Sequence, residues 1–560
     1  MLSNFTKISS LYNTFSYLSP IFFYSKDIIH GSQARNYLLN GVNKLTNTVS
    51  LTLGPKGRNI IYDTDFGEAK ITKDGVTITK QIEFKNKFEN IGASLIKQVA
   101  NRTSKLSGDG TTTASILTRE IFREGIKSIE AGMNPREIRK GMLCALKEIN
   151  NYLKSHSIPI KNKEDLIKVA TISANNDYEI GKLIGETFDK IGIDGTINVI
   201  NGNTLNHKIE YSKGMKFENG FRSQYFITNI KNKKCEFNNP FILMFSDNKK
   251  PEIEEISKIL EFVLKKQRPL IIISNEIDDD LLAILIINKI KGNLKSCVIK
   301  PPSFGDESQE LLNDFAFFCG GKIIDENINL KNISNFENIL GSVKKSLINK
   351  DESIFIEGNG DKKLIENQIN YLKNEGKKMV NNFDIEKNKK RIAKLSGKIA
   401  TLKVGGINET EINEIKDRID DAICATKAAM EEGVLPGGGI SLLYCSKNLD
   451  RLKIKNNFDF NYGIDIIKKS LKIPLKIICE NSGLNGDFVI EKLINQNNEK
   501  LGINALNGKI WDLYENGIID PTKVVRTSIE SAVNLASLML TTEGIIVKND
   551  VLEEKNKIKI

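Results

Sequence analysis

Leu106-Ser107-Gly108-Asp109-Gly110-Thr111-Thr112-Thr113 lies between two segments whose apolar residues recur every three or four positions. Phe88, Ile91, Gly92, Leu95 and Val99 run ahead of it and Ala114, Leu117, Ile121 and Gly125 behind it, so the octapeptide predicts a joint between two helices. Glycines on either side of an aspartate let the backbone turn with its amides bare. The threonines follow where a new helix still has unpaired N–H groups and the positive end of its dipole. Such a turn suits a phosphate, whose oxygens the amides and hydroxyls would hold. Asp109 then offers a hard cation such as Mg²⁺ the carboxylate it takes beside phosphate oxygen. A plain helical hairpin with a threonine cap carries the same letters, and the octapeptide alone does not separate the two.

Length and composition narrow the classes. A chain of 560 residues exceeds one hydrophobic core and implies three to four domains. No apolar run approaches the roughly 18 uncharged residues that a membrane-spanning helix needs. The seven cysteines stand singly, with no Cys-x-x-Cys pair, and His30, His156 and His207 are isolated; a thiolate or histidine metal site and a catalytic triad therefore have no support. The formal charge of +11 is spread over Lys- and Asn-rich segments without a basic stripe interleaved with aromatics, so neither nucleic acid nor membrane is expected as a partner.

Two more turns fall close by: Thr52-Leu53-Gly54-Pro55-Lys56-Gly57-Arg58-Asn59, and Ile71-Thr72-Lys73-Asp74-Gly75-Val76, which reads as the bend of a short hairpin over 70–79. Far downstream stand Glu431-Glu432-Gly433-Val434-Leu435-Pro436-Gly437-Gly438-Gly439 and Asp520-Pro521-Thr522-Lys523-Val524. Between them, Phe241–Phe245, Pro269–Ile273 and Ser296–Ile299 are apolar runs suited to buried strands. They alternate with helical stretches over 251–266 and 278–291, which predicts an α/β block with parallel pairing. The stretch 278–291 is apolar around most of its circumference, so it is either covered on all sides or exposes a sticky face.

Taken together the turn motifs resemble the group I chaperonins, the bacterial GroEL and organellar class, from about residue 26 to about 542. The resemblance implies a multidomain α/β fold. A mainly helical equatorial ATPase domain (26–155 and 432–545) and a small intermediate domain (156–213 and 400–431) would flank an α/β apical domain (214–399) inserted in the middle of the chain. Residues 1–25, acid-free and Ser-rich but lacking Arg, read as a mitochondrial transit peptide, and 546–560 as a disordered tail.

By resemblance Thr52, Leu53, Gly54, Pro55, Lys73, Gly75, Gly110, Thr111, Thr112, Thr113, Ile172, Gly438, Asn504, Ala505, Leu506, Ile518 and Asp520 surround ATP. Asp109 holds Mg²⁺, and K⁺ is a further cofactor. Asp421 orients the attacking water with Asp74 in support; spacing alone does not separate Asp421 from Asp420. Gly214, Gly397 and Gly433 are hinge positions, with Lys398 where the family has a second glycine. Phe221, Ser223, Tyr225, Phe226, Leu260, Leu282, Ile286 and Ile287 match the rim that captures unfolded polypeptides and a small co-chaperonin of the GroES class, on a homo-oligomeric, heptameric ring. Arg222 and Ser257 break the apolar pattern there, and Leu506 replaces a small residue. A soluble phosphotransferase lacks its Gly-x-x-x-x-Gly-Lys-Ser/Thr loop. A degenerate scaffold subunit sits badly with intact Asp74, Asp109 and Asp421, and a group II chaperonin would carry a helical apical insertion.

Overall fold

The structure is a computed structural model. It describes residues 26–548 apart from 64–68, 331–334 and the shorter gaps 161, 175, 194, 203, 205, 231–232, 304, 327, 329, 377–378, 380 and 497. The expected transit peptide and residues 549–560 of the expected tail lie outside the described residues. The chain forms two compact units, one from the segments up to Lys161 and from Cys424 onward, the other from Asn162 to Ile423.

The first unit is built from helices. Thr111–Glu130 lies at its centre, with Ile116, Leu117, Ile121 and Phe122 fully buried; burying each such side chain contributes about 1.5–3 kcal/mol. Thr522–Leu540, Lys87–Ser107, Gly31–Ser50 and Phe458–Ser470 pack around it. Pro135–His156 begins as its sequence predicts, with Pro135 in the first turn and the Asn134 side chain accepting from Arg136 N at 3.0 Å.

Two expectations change here. Residues 75–81 form a helix, Gly75–Gln81, and the hairpin is instead Ile60–Tyr62 with Lys70–Thr72. Val76-Thr77-Ile78-Thr79 is β-branched and favours a strand, but Asp74 caps the segment and the cap decides. Its carboxylate accepts from Val76 N at 3.1 Å, Thr77 N at 2.8 Å and Thr77 Oγ1 at 2.6 Å. Residues 546–548, assigned to a disordered tail, complete the strand Gly544–Lys548, which pairs antiparallel with Lys26–His30 in the register Ile28↔Ile546.

In the second unit Phe241–Phe245, Leu270–Ile273 and Ser296–Ile299 pair in parallel (Phe241↔Leu270, Leu270↔Ser296), each buried along its whole length. Antiparallel Gly341–Ile348, Ser353–Gly358, Lys208–Phe217 and Lys398–Val404 extend the sheet to Thr196–Asn201, which runs parallel to its neighbour. Helix Asp279–Ile290 turns Leu281 and Leu285 into the core and leaves Leu282 and Ile286 at its margin. Ile287 is 48% exposed and Ile290 64%. Both readings of this helix are thus half true: one face is covered and the other is bare and apolar.

Candidate functional site

Gly108 and Gly110 adopt φ of +74° and +83°, a left-handed backbone that costs glycine little, and Gly110 is the N-cap of Thr111–Glu130. Asp109 is thereby set between two reversals of the chain, with Oδ1 accepting from Gly110 N at 2.5 Å. Gly75 has to be bare, because a Cβ there would stand 2.4 Å from Thr112 Oγ1 and 2.9 Å from Thr111 Oγ1. That close approach brings the capping acid Asp74 and the threonine turn onto one surface. Lys73 Nζ donates to Gly54 O at 3.4 Å, which ties the Thr52–Pro55 loop, with its buried Thr52, to the same place.

The downstream segments reach the same region through the pairing of Val434–Pro436 with Ile519–Pro521, in which Leu435 faces Asp520. Gly437 N donates to Ile518 O at 3.0 Å. Gly438 has φ +64° and nothing within 4 Å of the position its Cβ would take, so this turn borders open space. Asn504 ends the strand Leu501–Asn504. Its Oδ1 accepts from Leu506 N at 2.9 Å, Ala505 beside it is buried, and Leu506 is half exposed.

Electrostatics points to a cation. Asp109 and Asp520 keep some accessible surface although protein atoms surround their carboxylates. Burial raises the Asp109 carboxyl above the usual carboxylate range, against the pull of Gly110 N–H, and the charge of Asp74 raises it further. Burial also pushes Asp520 up to about 6, with the charge of Asp109 added and the N–H groups of Gly438 and Gly439 opposing. The acids thus repel one another in a desolvated place, and a bound divalent ion relieves exactly that penalty in its own sign. Among the described residues no group of three or more His, Cys, Asp or Glu is placed to hold a metal by itself. One or two carboxylates are what Mg²⁺ takes when phosphate oxygens supply the rest of its shell, and Asp109 would be the residue to hold it.

The pH dependence has a definite sign. A carboxyl with a folded pKa of about 6 against 3.8 binds its proton more tightly in the folded chain, so ionising it lowers stability as pH rises through that interval. Asp520→Asn, in metal-free and nucleotide-free protein, should raise the melting temperature. The gain should grow between about pH 4 and pH 6 and stay level above. A gain that is constant from pH 4 to pH 8 refutes the assignment.

Thr527 and Ser528, on helix Thr522–Leu540, support the turn at Gly108–Gly110 and were not anticipated. Thr527 Oγ1 donates to Ser107 Oγ at 2.9 Å, Ser107 Oγ donates to Asp109 O at 2.9 Å, and Ser528 Oγ donates to Gly110 O at 3.0 Å. The signal was present as buried hydroxyls, Thr527, Ser528 and Ser531, set among the buried apolar residues of the helix.

Asp421 and Ile172 belong to the other unit, in helices Glu409–Glu432 and Lys163–Ser173. So does the expected polypeptide rim, which needs correction. Phe226 is 0% exposed and Phe221 nearly as buried; both are core side chains, enclosed because the strand-edge segment carrying them folds back on Ser296–Ile299 through the Phe221↔Ile299 bridge. Leu260, Leu282 and Ile286 are partly buried, Ser223 is intermediate and caps the short helix Gln224–Phe226, and Tyr225 and Ile287 are open to solvent. Arg222, at an apolar position of the pattern, lays its Nη2 on the carbonyls of Ser274 and Asn275. Ser257 is exposed.

Among solved structures the fold matches that of the chaperonin gp146 from the bacteriophage EL 2 (Pseudomonas aeruginosa), determined in the presence of ATP-BeFx. The TM-score is 0.73 at 20% identity, over 93% of this chain and 99% of that one. The architecture is therefore a chaperonin fold. The model of the TCP-1/cpn60 chaperonin family matches residues 45–550, and the chain belongs to that family. It is 46% identical to the mitochondrial chaperonin CPN60-2 of Cucurbita maxima over 94% of this chain and 91% of the relative, and 45% identical to the mitochondrial chaperonin CPN60-1 of Zea mays over 94% and 90%. The mitochondrial chaperonin CPN60 of Arabidopsis thaliana is 44% identical over 93% of this chain and 90% of its own.

Proposed function

We propose that the protein is an ATP-driven folding chaperonin of the mitochondrial matrix, which captures non-native polypeptide on an apical face and releases it into a ring cavity closed by a small co-chaperonin. The observation that carries this reading is a division of labour. A phosphate turn with converging acids lies in one unit, and a bare apolar helix face lies in the other. Family membership and the names of the mitochondrial relatives support the class and the compartment.

Within this reading the second unit divides into an intermediate and an apical domain, and seven copies form the ring. ATP with Mg²⁺, and K⁺ as second cation, supplies free energy through cleavage of its terminal phosphate. In the turn at Gly110 the hydroxyls of Thr111, Thr112 and Thr113 would bind phosphate oxygens, Asp109 would hold Mg²⁺, and Asn504, Ala505, Ile518 and Asp520 would hold the base and ribose. Asp421 orients the water and accepts its proton. Positioning and charge neutralisation do most of such work, and no covalent intermediate with the protein is needed.

The capture face has a direct test. Ile287 is the better probe than Ile286, because it is half exposed whereas Ile286 packs against the core. Ile287→Ser should leave stability within about 0.5 kcal/mol, as exposed sites do. It should also reduce capture of a denatured test protein severalfold and weaken co-chaperonin binding, with basal ATP turnover unchanged. Undiminished capture by the folded variant would remove the apical face from the mechanism.

A further inference from the structure

Helix Gly31–Ser50 ends beside the Thr52–Pro55 loop, and the last carbonyls of a helix have no partner inside it. The loop satisfies part of its own backbone, with Gly57 N donating to Gly54 O at 3.0 Å and Arg58 N to Leu51 O at 2.8 Å. Two carbonyls also accept from elsewhere in the chain, Ser50 O in addition to its bond from Leu53 N at 3.2 Å. Asn481, the last residue of helix Ile473–Asn481, donates from Nδ2 to Ser50 O and to Leu53 O, each at 2.9 Å, so both amide hydrogens are committed to this loop.

The same helix touches the loop again. Gly54 has φ +87°, and Ile478 Cγ2 and Cγ1 lie 3.2 and 3.4 Å from the place its Cβ would take. One turn earlier, Leu475 N lies 3.0 Å from the Cβ position of Gly439, in the turn that carries Gly438. One short helix thus braces two of the turns assigned to the nucleotide, and the Asn481 amide donates to the first of them.

We infer that Asn481 is a positioning residue for nucleotide binding, holding the Ser50 and Leu53 carbonyls so that the Thr52–Pro55 loop keeps its binding conformation. The inference rests on the nucleotide reading of that loop. Asn481 acts through the loop and not by contact with the nucleotide, so it should govern affinity more than the rate of the bound complex.

The test uses the full-length protein with Asn481→Ala and Asn481→Asp. Alanine removes both donors, whereas aspartate turns a carboxylate onto two carbonyl oxygens. ATP affinity by calorimetric titration should fall about tenfold in the alanine variant, as for the loss of two hydrogen bonds, and further in the aspartate variant. Turnover at saturating ATP should stay within about twofold, and the melting temperatures should differ from the parent by only a few degrees. A second readout needs no nucleotide: amide exchange at Gly57 and Arg58, whose bonds close the loop, should quicken in both variants. Parental affinity with parental exchange at those amides overturns the inference, and so does an equal affinity loss in both variants that merely tracks lost melting temperature. If the parent itself binds no ATP, the nucleotide reading fails, while quickened exchange at Gly57 and Arg58 still supports the hold of Asn481 on the loop.

Discussion

Asp421→Ala should leave ATP bound and the assembly intact, and should slow hydrolysis by about a hundredfold or more, the usual effect of deleting one well-placed electrostatic group from a transition state. Asp421 is half-buried on helix Glu409–Glu432, two residues before the boundary between the compact units, and its neighbour Asp420 keeps accessible surface although surrounding protein atoms push its carboxyl up to about 6. Successive residues on a helix point about 100° apart, so the two acids cannot serve one water interchangeably. Asp420→Ala is therefore the control, with turnover expected within about twofold of the parent, a difference worth less than 1 kcal/mol. Single-turnover measurements with prebound ATP isolate the step. Parental turnover in Asp421→Ala, or an equal loss in Asp420→Ala, would show that the water is oriented by another group.

Asp109→Ala should act on binding. Charge-assisted contacts are worth about 1.5–3 kcal/mol each, so loss of this ligand should weaken Mg·ATP binding by roughly ten- to a hundredfold. It should also make affinity much less dependent on Mg²⁺ concentration. The nucleotide-free protein should lose little stability or gain some, because the Asp109 carboxyl is raised by burial and by Asp74 and its charge is unfavourable without a cation. Calorimetric titrations at several Mg²⁺ concentrations, with melting curves of the free protein, measure both effects. Affinity equal to the parent's at every Mg²⁺ concentration would move the metal to a different acid.

What the sequence by itself determined is local or strongly periodic. The left-handed turns at Gly108 and Gly110, the proline start of Pro135–His156 and the parallel strands 241–245, 270–273 and 296–299 follow from residue types a few positions apart. The turns proposed to hold the nucleotide were legible as turns through several motifs taken together, since each demands small or capping residues where a backbone reverses. The threonine turn alone could have been a hairpin cap. Only the tertiary structure decided how distant segments meet. The strand 544–548 exists because Lys26–His30 supplies its hydrogen-bond partner more than 500 residues away, and a two-stranded ladder has no local signature. Phe226 and Ile287 are equally apolar letters, yet one is enclosed and the other bare, because burial depends on which elements cover a face. Thr527, Ser528 and Asn481 read as ordinary helix residues until packing sets their donors against partners some 420 to 430 residues away: the Ser107 hydroxyl for Thr527, the Gly110 carbonyl for Ser528, and the Ser50 and Leu53 carbonyls for Asn481.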